Sequence, residues 1–215
     1  MIAEGLASAV CYCWCKGDAR GAAKLRKLIC SGEWDLLVSV YSDYIFSGDE
    51  LRQVRIPLNL HPALPTCPGV GYDIQPLIEA HPIFGGTLHW MIPQIDSGAV
   101  IRTLEYPLPS EWDYQTLRAA NQSVVLRMLH QLVQFWSASY SLESFEAALN
   151  QEVTAATQWH GSYLSKRELA RIILELKDRD PQRFESIGFP LDLLCEADGC
   201  NVYPASPPRC ISRSV

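Results

Sequence analysis

Three side chains in this sequence have types suited to moving a carbonyl unit. Asn59 and His61 stand in Asn59-Leu60-His61-Pro62, and Asp96 stands in Ile95-Asp96-Ser97-Gly98. Each segment is turn-like and is reached from an apolar, strand-like run. An amide N–H can stabilise a developing oxyanion, an imidazole titrates near neutral pH, and a carboxylate can orient that imidazole. Taken singly, each has a plainer reading. Asn59 and His61 read as a satisfied turn pair, and Asp96 as an Asx-turn before Ser97-Gly98. Their context decides between the two.

The elements that must carry these residues follow from the pattern. Ala9 to Cys15 reads as a short strand. Gly21 to Cys30 has Ala22, Leu25, Leu28 and Ile29 on one side, which predicts a helix ended by Ser31-Gly32. Trp34 to Tyr41 contains a continuous apolar run, the pattern of a strand buried on both faces. Ser47 is placed to cap a short helix, and Ile56 to Leu60 is a second core strand. After the Pro- and Gly-rich loop from Pro62 to Gly71, a helix is expected near Ile74 to Ala80. Strands follow at Gly86 to Ile92 and Ala99 to Tyr106. Tyr114 to Tyr140 is a long amphipathic helix with Leu117, Ala120, Val124, Met128, Leu132, Phe135 and Trp136 on its core face. Leu164 to Leu176 is another, with Ser165 and Glu168 at capping-box spacing. Strands alternating with helices point to a parallel α/β sheet, where ligands sit beyond the carboxyl ends of strands. Asn59 and His61 fall at such an end.

Three linked segments resemble the catalytic domain of the folate-dependent formyltransferases, which include the methionyl-tRNA, glycinamide ribonucleotide and sugar N-formyltransferases. They are Asn59-Leu60-His61-Pro62-Ala63-Leu64-Pro65, Gly85-Gly86-Thr87-Leu88-His89-Trp90-Met91, and Ile95-Asp96-Ser97-Gly98-Ala99-Val100-Ile101. The resemblance covers about residues 34 to 136 and implies a Rossmann-like parallel or mixed sheet flanked by helices. It also implies that Asn59 stabilises the tetrahedral oxyanion, and that His61 polarises the formyl carbonyl or takes a proton from the attacking amine. Asp96 would raise and orient His61 and receive the proton through water. The implied donor is 10-formyltetrahydrofolate. Its pterin would enter an apolar slot made here by Tyr44, Ile45 and Phe46 on one side and Ile92, Gln94 and Ile95 on the other. Ordinary core packing is the competing reading for Ile45, Phe46 and Ile95.

The chain departs from the family at its start. The family's first strand and glycine-containing turn have no counterpart before Ala9, so the sheet is expected to lack its first strand. A homodimer would be one way to cover the exposed edge. Residues 1–150 are expected to form the N-terminally trimmed catalytic domain, and residues 151–215 a short helical and Pro-rich extension. That extension is too short for the tRNA-engaging domain of the methionyl-tRNA enzymes, which favours a small amine acceptor such as an amino sugar or a biosynthetic intermediate. Two alternatives are a hydrolase that passes the formyl group to water and a non-catalytic folate-binding or assembly subunit.

Composition sets outer bounds. The chain has 215 residues, 48% of them hydrophobic, and a net charge of −6, which argues against nucleic acid as the main partner. No apolar run approaches the roughly 18 residues of a membrane span. The start lacks a basic n-region, so a cytoplasmic location is expected. Eight cysteines are present. Cys11, Cys13 and Cys15 would share one strand face, too close in sequence for good disulfides and without zinc-ligand spacing. Cys195, Cys200 and Cys210 lie in a Pro-rich tail with no His or CxxC to complete a metal site, so no metal is expected. Cys30 and Cys67 stand alone, and nothing in the sequence activates Cys67. His89 reads as a packed strand residue. His81, His130 and His160 have no evident charge partner nearby, and Trp159 to Tyr163 reads either as a lip over the acceptor or as a packed turn.

Overall fold

The computed structural model describes residues 19–42, 44–153 and 158–190. The expected strand from Ala9 to Cys15, the question of a first strand, and the C-terminal cysteines lie outside them. Helix α1 (Ala19–Ile29) leads into strand β1 (Trp34–Val40). A single turn, α2 (Gly48–Leu51), precedes β2 (Val54–His61), and a second short turn, α3 (Gln75–Ile78), precedes β3 (Ile83–Trp90) and β4 (Val100–Pro107). Helices α4 (Tyr114–Ala138), α5 (Leu142–Glu152), α6 (Lys166–Arg179) and α7 (Pro181–Ile187) complete the order. None of the described helices is long and apolar enough to cross a membrane.

The four described strands form one sheet in the order β1-β2-β3-β4. Only β1 and β2 run parallel; β2–β3 and β3–β4 are antiparallel. The sheet is therefore mixed, not parallel throughout. Connection length explains the antiparallel β3–β4 pair. A parallel pair needs a crossover of a dozen or more residues, usually helical. Residues 91–99 between β3 and β4 are too few, and the segment between β2 and β3 holds only the four-residue α3. β1 is an edge of the described sheet, and its residues are mostly half-buried instead of buried on both faces.

Side-chain alternation sorts the sheet into two faces. Ile56, Leu58 and Leu60 of β2, with Phe84 and Leu88 of β3, enter the main core beneath Leu117, Val124, Val125 and Met128 of α4. The helix lies close because β3 carries glycine there: a Cβ at Gly86 would sit 2.8 Å from Met128 Sδ and 3.2 Å from Val124 Cγ1. On the opposite face, Leu25 and Ile29 of α1 pack with Phe46 and Leu51. Asn59 and His61, at odd positions of β2, are turned away from the α4 core. Helix α5, which the sequence pattern did not single out, ties back to the sheet through ion pairs of Arg55 with Glu143 and Glu146 and of Arg102 with Glu152. Asp113 caps α4 by accepting from Thr116 N–H at 2.8 Å. The expected capping box of Ser165 and Glu168 opens α6.

Leu58 is fully buried in β2, immediately before Asn59. Leu58→Ala is expected to destabilise the fold by about 2–5 kcal/mol, the usual cost of a buried leucine deletion. Urea denaturation followed by circular dichroism would measure it.

Candidate functional site

The β2–β3 register places Asn59 opposite His89 and His61 opposite Thr87. Cross-strand partners share a face and lie close enough to interact. Asn59 Nδ2 stands 3.0 Å from His89 Nε2, and His89 Nδ1 stands 2.8 Å from the Trp90 carbonyl. A neutral ring satisfies both contacts in one way: Nδ1–H donates to Trp90, and Nε2 accepts from the Asn59 amide. The amide nitrogen carries a second N–H, and Asn59 lines the adjoining cavity.

His61 is held at both ring nitrogens. Nε2 donates to the Cys67 carbonyl at 3.0 Å, and Nδ1 faces Asp96 Oδ2 at 3.5 Å. Asp96 lies in the loop between β3 and β4 with φ +44°, in the left-handed region that Asp tolerates better than most residues. Its carboxylate turns inward. Oδ2 accepts from the Gly69 backbone N–H at 2.8 Å, and Oδ1 lies 3.6 Å from His89 Nε2. Ser97 instead closes the local turn, donating to the Ile95 carbonyl at 2.8 Å. Gly69 must be glycine to hold this position. Its φ is +95°, and a Cβ would meet the Leu164 carbonyl oxygen at 2.3 Å. One carboxylate thus stands between two imidazoles, and all three groups are buried. Burial, with His61 as a second, like-signed group nearby, pushes His89 down to about 4, against the pull of Asp96 and the Trp90 carbonyl.

These groups border a cavity of about 380 Å³. All three residues predicted for chemistry and all six predicted for the slot line it: Asn59, His61 and Asp96, with Tyr44, Ile45, Phe46, Ile92, Gln94 and Ile95. Ile45, Ile92 and Ile95 are exposed at 62%, 42% and 36%, so core packing does not account for Ile45 and Ile95. Apolar side chains gathered around a concave opening are the usual signature of a ligand slot. Tyr44 is fixed by a network the sequence showed only as a cap. Its hydroxyl donates to buried Glu50, which also accepts from Ser47 N–H and Oγ–H, both at 2.7 Å, and from Arg26 Nε at 3.3 Å. Burial works against the Glu50 charge, but the Tyr44 hydroxyl and the Ser47 donors outweigh it and hold the carboxyl below its usual range.

Several lining residues were not anticipated. Tyr41 and Tyr72 form one wall, and Lys166 borders the opening beside Tyr163, from the segment read either as a lip or as a packed turn. Tyr41 donates to Asp73 Oδ2 at 2.6 Å, and Asn121 of α4 donates to Asp73 Oδ1 at 3.1 Å. No local spacing reveals these pairs, which join residues 32 and 48 positions apart. Cys67 is buried behind His61, and burial pushes its thiol up to about 11, as suits an inert packed group. His81 does have a charge partner: its Nε2 is 2.8 Å from Glu79, two residues earlier. The intervening Ala80, at φ +51°, folds the chain so that the two side chains meet. His130 and His160 are exposed. Among the described residues, no cluster of His, Cys, Asp and Glu is arranged to hold a metal.

The fold is that of the N-formyltransferases. A formyltransferase from Anoxybacillus kamchatkensis, solved with UDP-4,6-dideoxy-4-formamido-L-AltNAc and tetrahydrofolate, matches 71% of this chain and 76% of its own, with a TM-score of 0.51 and 18% identity. A 4-N formyltransferase from Francisella tularensis matches 68% of this chain and 55% of its own, with a TM-score of 0.50 and 22% identity. The N-formyltransferase from Helicobacter canadensis, solved with folinic acid and dTDP-3-aminofucose, matches 61% of this chain with a TM-score of 0.46 and 20% identity. The match covers 45% of that chain's own length. The chain thus spans about half the length of several such structures. No family model and no curated protein matches it.

The depressed His89 has a consequence for stability. The unfolded chain takes up a proton at His89 near pH 6.5 and the folded chain near 4, so the unfolded state binds more protons between these values. This contribution is fully present above pH 6.5 and is lost as pH falls towards 4. His89→Gln is expected to weaken the acid sensitivity of the melting temperature in that window, as read by thermal scans at stepped pH.

Proposed function

We propose that this chain is an N-formyltransferase that moves a formyl group from 10-formyltetrahydrofolate to the amine of a small-molecule acceptor. One observation carries the reading: Asn59, His61 and Asp96 meet beside a single cavity whose opening is the apolar Tyr44–Phe46 and Ile92–Ile95 slot. The Anoxybacillus kamchatkensis protein of this fold, at 18% identity, holds tetrahydrofolate together with a nucleotide-linked formamido sugar, the formylated form of an amino sugar. An amino sugar is accordingly the acceptor class we favour.

The donor, when bound, supplies an electrophilic formyl carbon and a reduced folate as leaving group. The residues fit it. Ile45, Phe46, Ile92 and Ile95 offer two apolar walls for a flat ring, and Gln94 and the loop backbone offer polar edges. Asn59 presents its amide N–H to the formyl oxygen, with the amide oriented by His89. The geometry favours one of the two roles expected of His61. Its Nε2–H is committed to the Cys67 carbonyl and its Nδ1 faces Asp96. It therefore acts as a buried, carboxylate-paired ring that polarises the site, not as the group that directly strips the amine. Asp96 takes the amine proton through water. That proton balances the one gained by the folate nitrogen when its bond to the formyl carbon breaks. Tyr163 and Lys166, beyond residue 150, line the same cavity and are the residues we assign to the acceptor side.

Asn59→Ala, His61→Ala and Asp96→Ala are each expected to lower formyl transfer by about 10²- to 10³-fold, the range for losing one oxyanion donor or one acid–base group. A circular-dichroism spectrum like that of the parent would check that each variant still folds. The assay is mass-spectrometric detection of one added formyl group across a panel of amino sugars and other amines. Full activity in both His61→Ala and Asp96→Ala would sink the proposal. Formate release without any amine would instead assign hydrolysis. Separately, Ile45→Ala is expected to weaken binding of 5-formyltetrahydrofolate about tenfold in calorimetry, through lost apolar contact. Unchanged affinity would remove Ile45 from the slot.

A further inference from the structure

Residues 158–165 belong neither to the sheet nor to its α4 cover, yet they are fastened across the site. Trp159 Nε1–H donates to the Gly98 carbonyl at 2.8 Å, in the loop that carries Asp96. His160 and Gly161 donate to the Pro65 carbonyl at 3.0 and 3.3 Å. Leu164 donates to Pro68 and accepts from Val70, each at 3.0 Å, and forms a parallel bridge with Gly69, whose N–H holds Asp96. The strap therefore joins the two loops that set the carboxylate. Its indole also packs edgewise on both imidazoles, with centroids 5.5 Å from His61 at 71° and 4.9 Å from His89 at 90°. Trp159 does not line the cavity. It covers the histidines from outside the space a ligand would fill.

We propose that Trp159 is a positioning residue that locks the His61–Asp96–His89 array and keeps water from its outer side. The need for it follows from the distances. His61 has one short bond, to the Cys67 carbonyl, with Asp96 Oδ2 3.5 Å from its other nitrogen; His89 is bonded at both nitrogens, to the Trp90 carbonyl and the Asn59 amide, with Asp96 Oδ1 at 3.6 Å. The longer contact leaves the His61 ring free to rock about its axis unless something packs against it, and the outer edge of the bonded His89 ring is open to water unless it is covered. An aromatic edge contact supplies that packing and removes the solvent that would stabilise a charged ring. The titratable groups near the array are the two imidazoles themselves, Asp96 from the β3–β4 loop, Cys67 and Tyr72 from the loop after β2, and Tyr163 and Lys166 from the strap and the start of α6.

Turnover consequences rest on the formyltransferase reading, whereas the titration of the rings does not. The test is an NMR titration of the histidine rings in the full chain, with His61→Asn and His89→Asn used to assign them. His89 is expected to titrate near pH 4 in the parent. In Trp159→Ala its midpoint should rise by one unit or more towards the ordinary value, with a smaller rise in Trp159→Phe, which keeps a ring but loses the bond to Gly98. Leu176→Ala, a destabilising change in the buried face of α6, should leave the midpoint in place and so separates positioning from general loosening. An unmoved midpoint in Trp159→Ala would overturn the proposal. If that variant does not fold, an unmoved midpoint in Trp159→Phe does the same. In the formyl-transfer assay, Trp159→Phe should lower kcat about tenfold with the KM for donor within twofold. If the parent transfers no formyl group, the functional reading fails while the titration still decides the role of Trp159.

Discussion

The antiparallel register of β2 against β3 is the constraint on which the site depends. Leu60 pairs with Leu88 and Leu58 with Trp90 on the face covered by α4, so Asn59 and His89 must meet on the other face. A slip of one residue would turn the leucines out and drive the amide and imidazole into an apolar core. The hydrophobic pairs thus fix the polar pair, and the hydrogen bond between Asn59 and His89 is a by-product of packing on the far side of the sheet. Thr87, opposite His61, adds a second lock by donating to the Ala63 carbonyl at 2.6 Å, which pulls the Pro-rich loop down over the strand end.

That loop solves the next problem, which is where to put a buried carboxylate. An ionised group out of water is costly unless its lone pairs are met. Asp96 meets this demand with the Gly69 N–H, exposed by a left-handed glycine that leaves room for Leu164, and its Oδ2 also faces the His61 ring at 3.5 Å. The depressed His89 and the carboxylate at its edge are parts of one arrangement. His89 stays neutral, so it can accept from Asn59 and fix which way that amide points. A charged ring there would be a donor at both nitrogens and would turn the amide round.

How much of this is legible in the sequence depends on range. The β1, β2 and α4 segments, the Ser47 and Ser165 caps and the trio of Asn59, His61 and Asp96 are local patterns, and each is found where its spacing places it. The six residues expected to form a slot also reach one cavity, because they sit on two short loops whose positions follow from the strands before them. Strand direction is less legible, since alternation of strand and helix does not reveal that residues 91–99 are too few for a crossover. Contacts that join distant segments leave no local trace. Asp73 with Tyr41 and Asn121, and Trp159 with the two imidazoles, depend on how loops fold over a finished sheet. His81 and Glu79 failed for a different reason: they are neighbours, but only a left-handed Ala80 brings them together.

The two walls of the cavity are built with different stiffness, and this bears on how a two-substrate reaction could be ordered. On the slot side, Tyr44 is pinned to Glu50, which is itself pinned by Ser47 and Arg26 on a capped turn at the end of the α1 packing cluster. That wall is formed before any ligand arrives and suits a flat, rigid ring. On the other side, Tyr163 and Lys166 are exposed, the first on a strap held by backbone bonds to the Pro-rich loop and the second at the start of α6. Their side chains have room to adapt. A preformed slot favours the ligand with the larger apolar face, and an adaptable rim favours a polar partner whose shape varies. Within the proposed reaction, the folate would then seat first against the Tyr44 wall, and the acceptor would complete the site from the strap side.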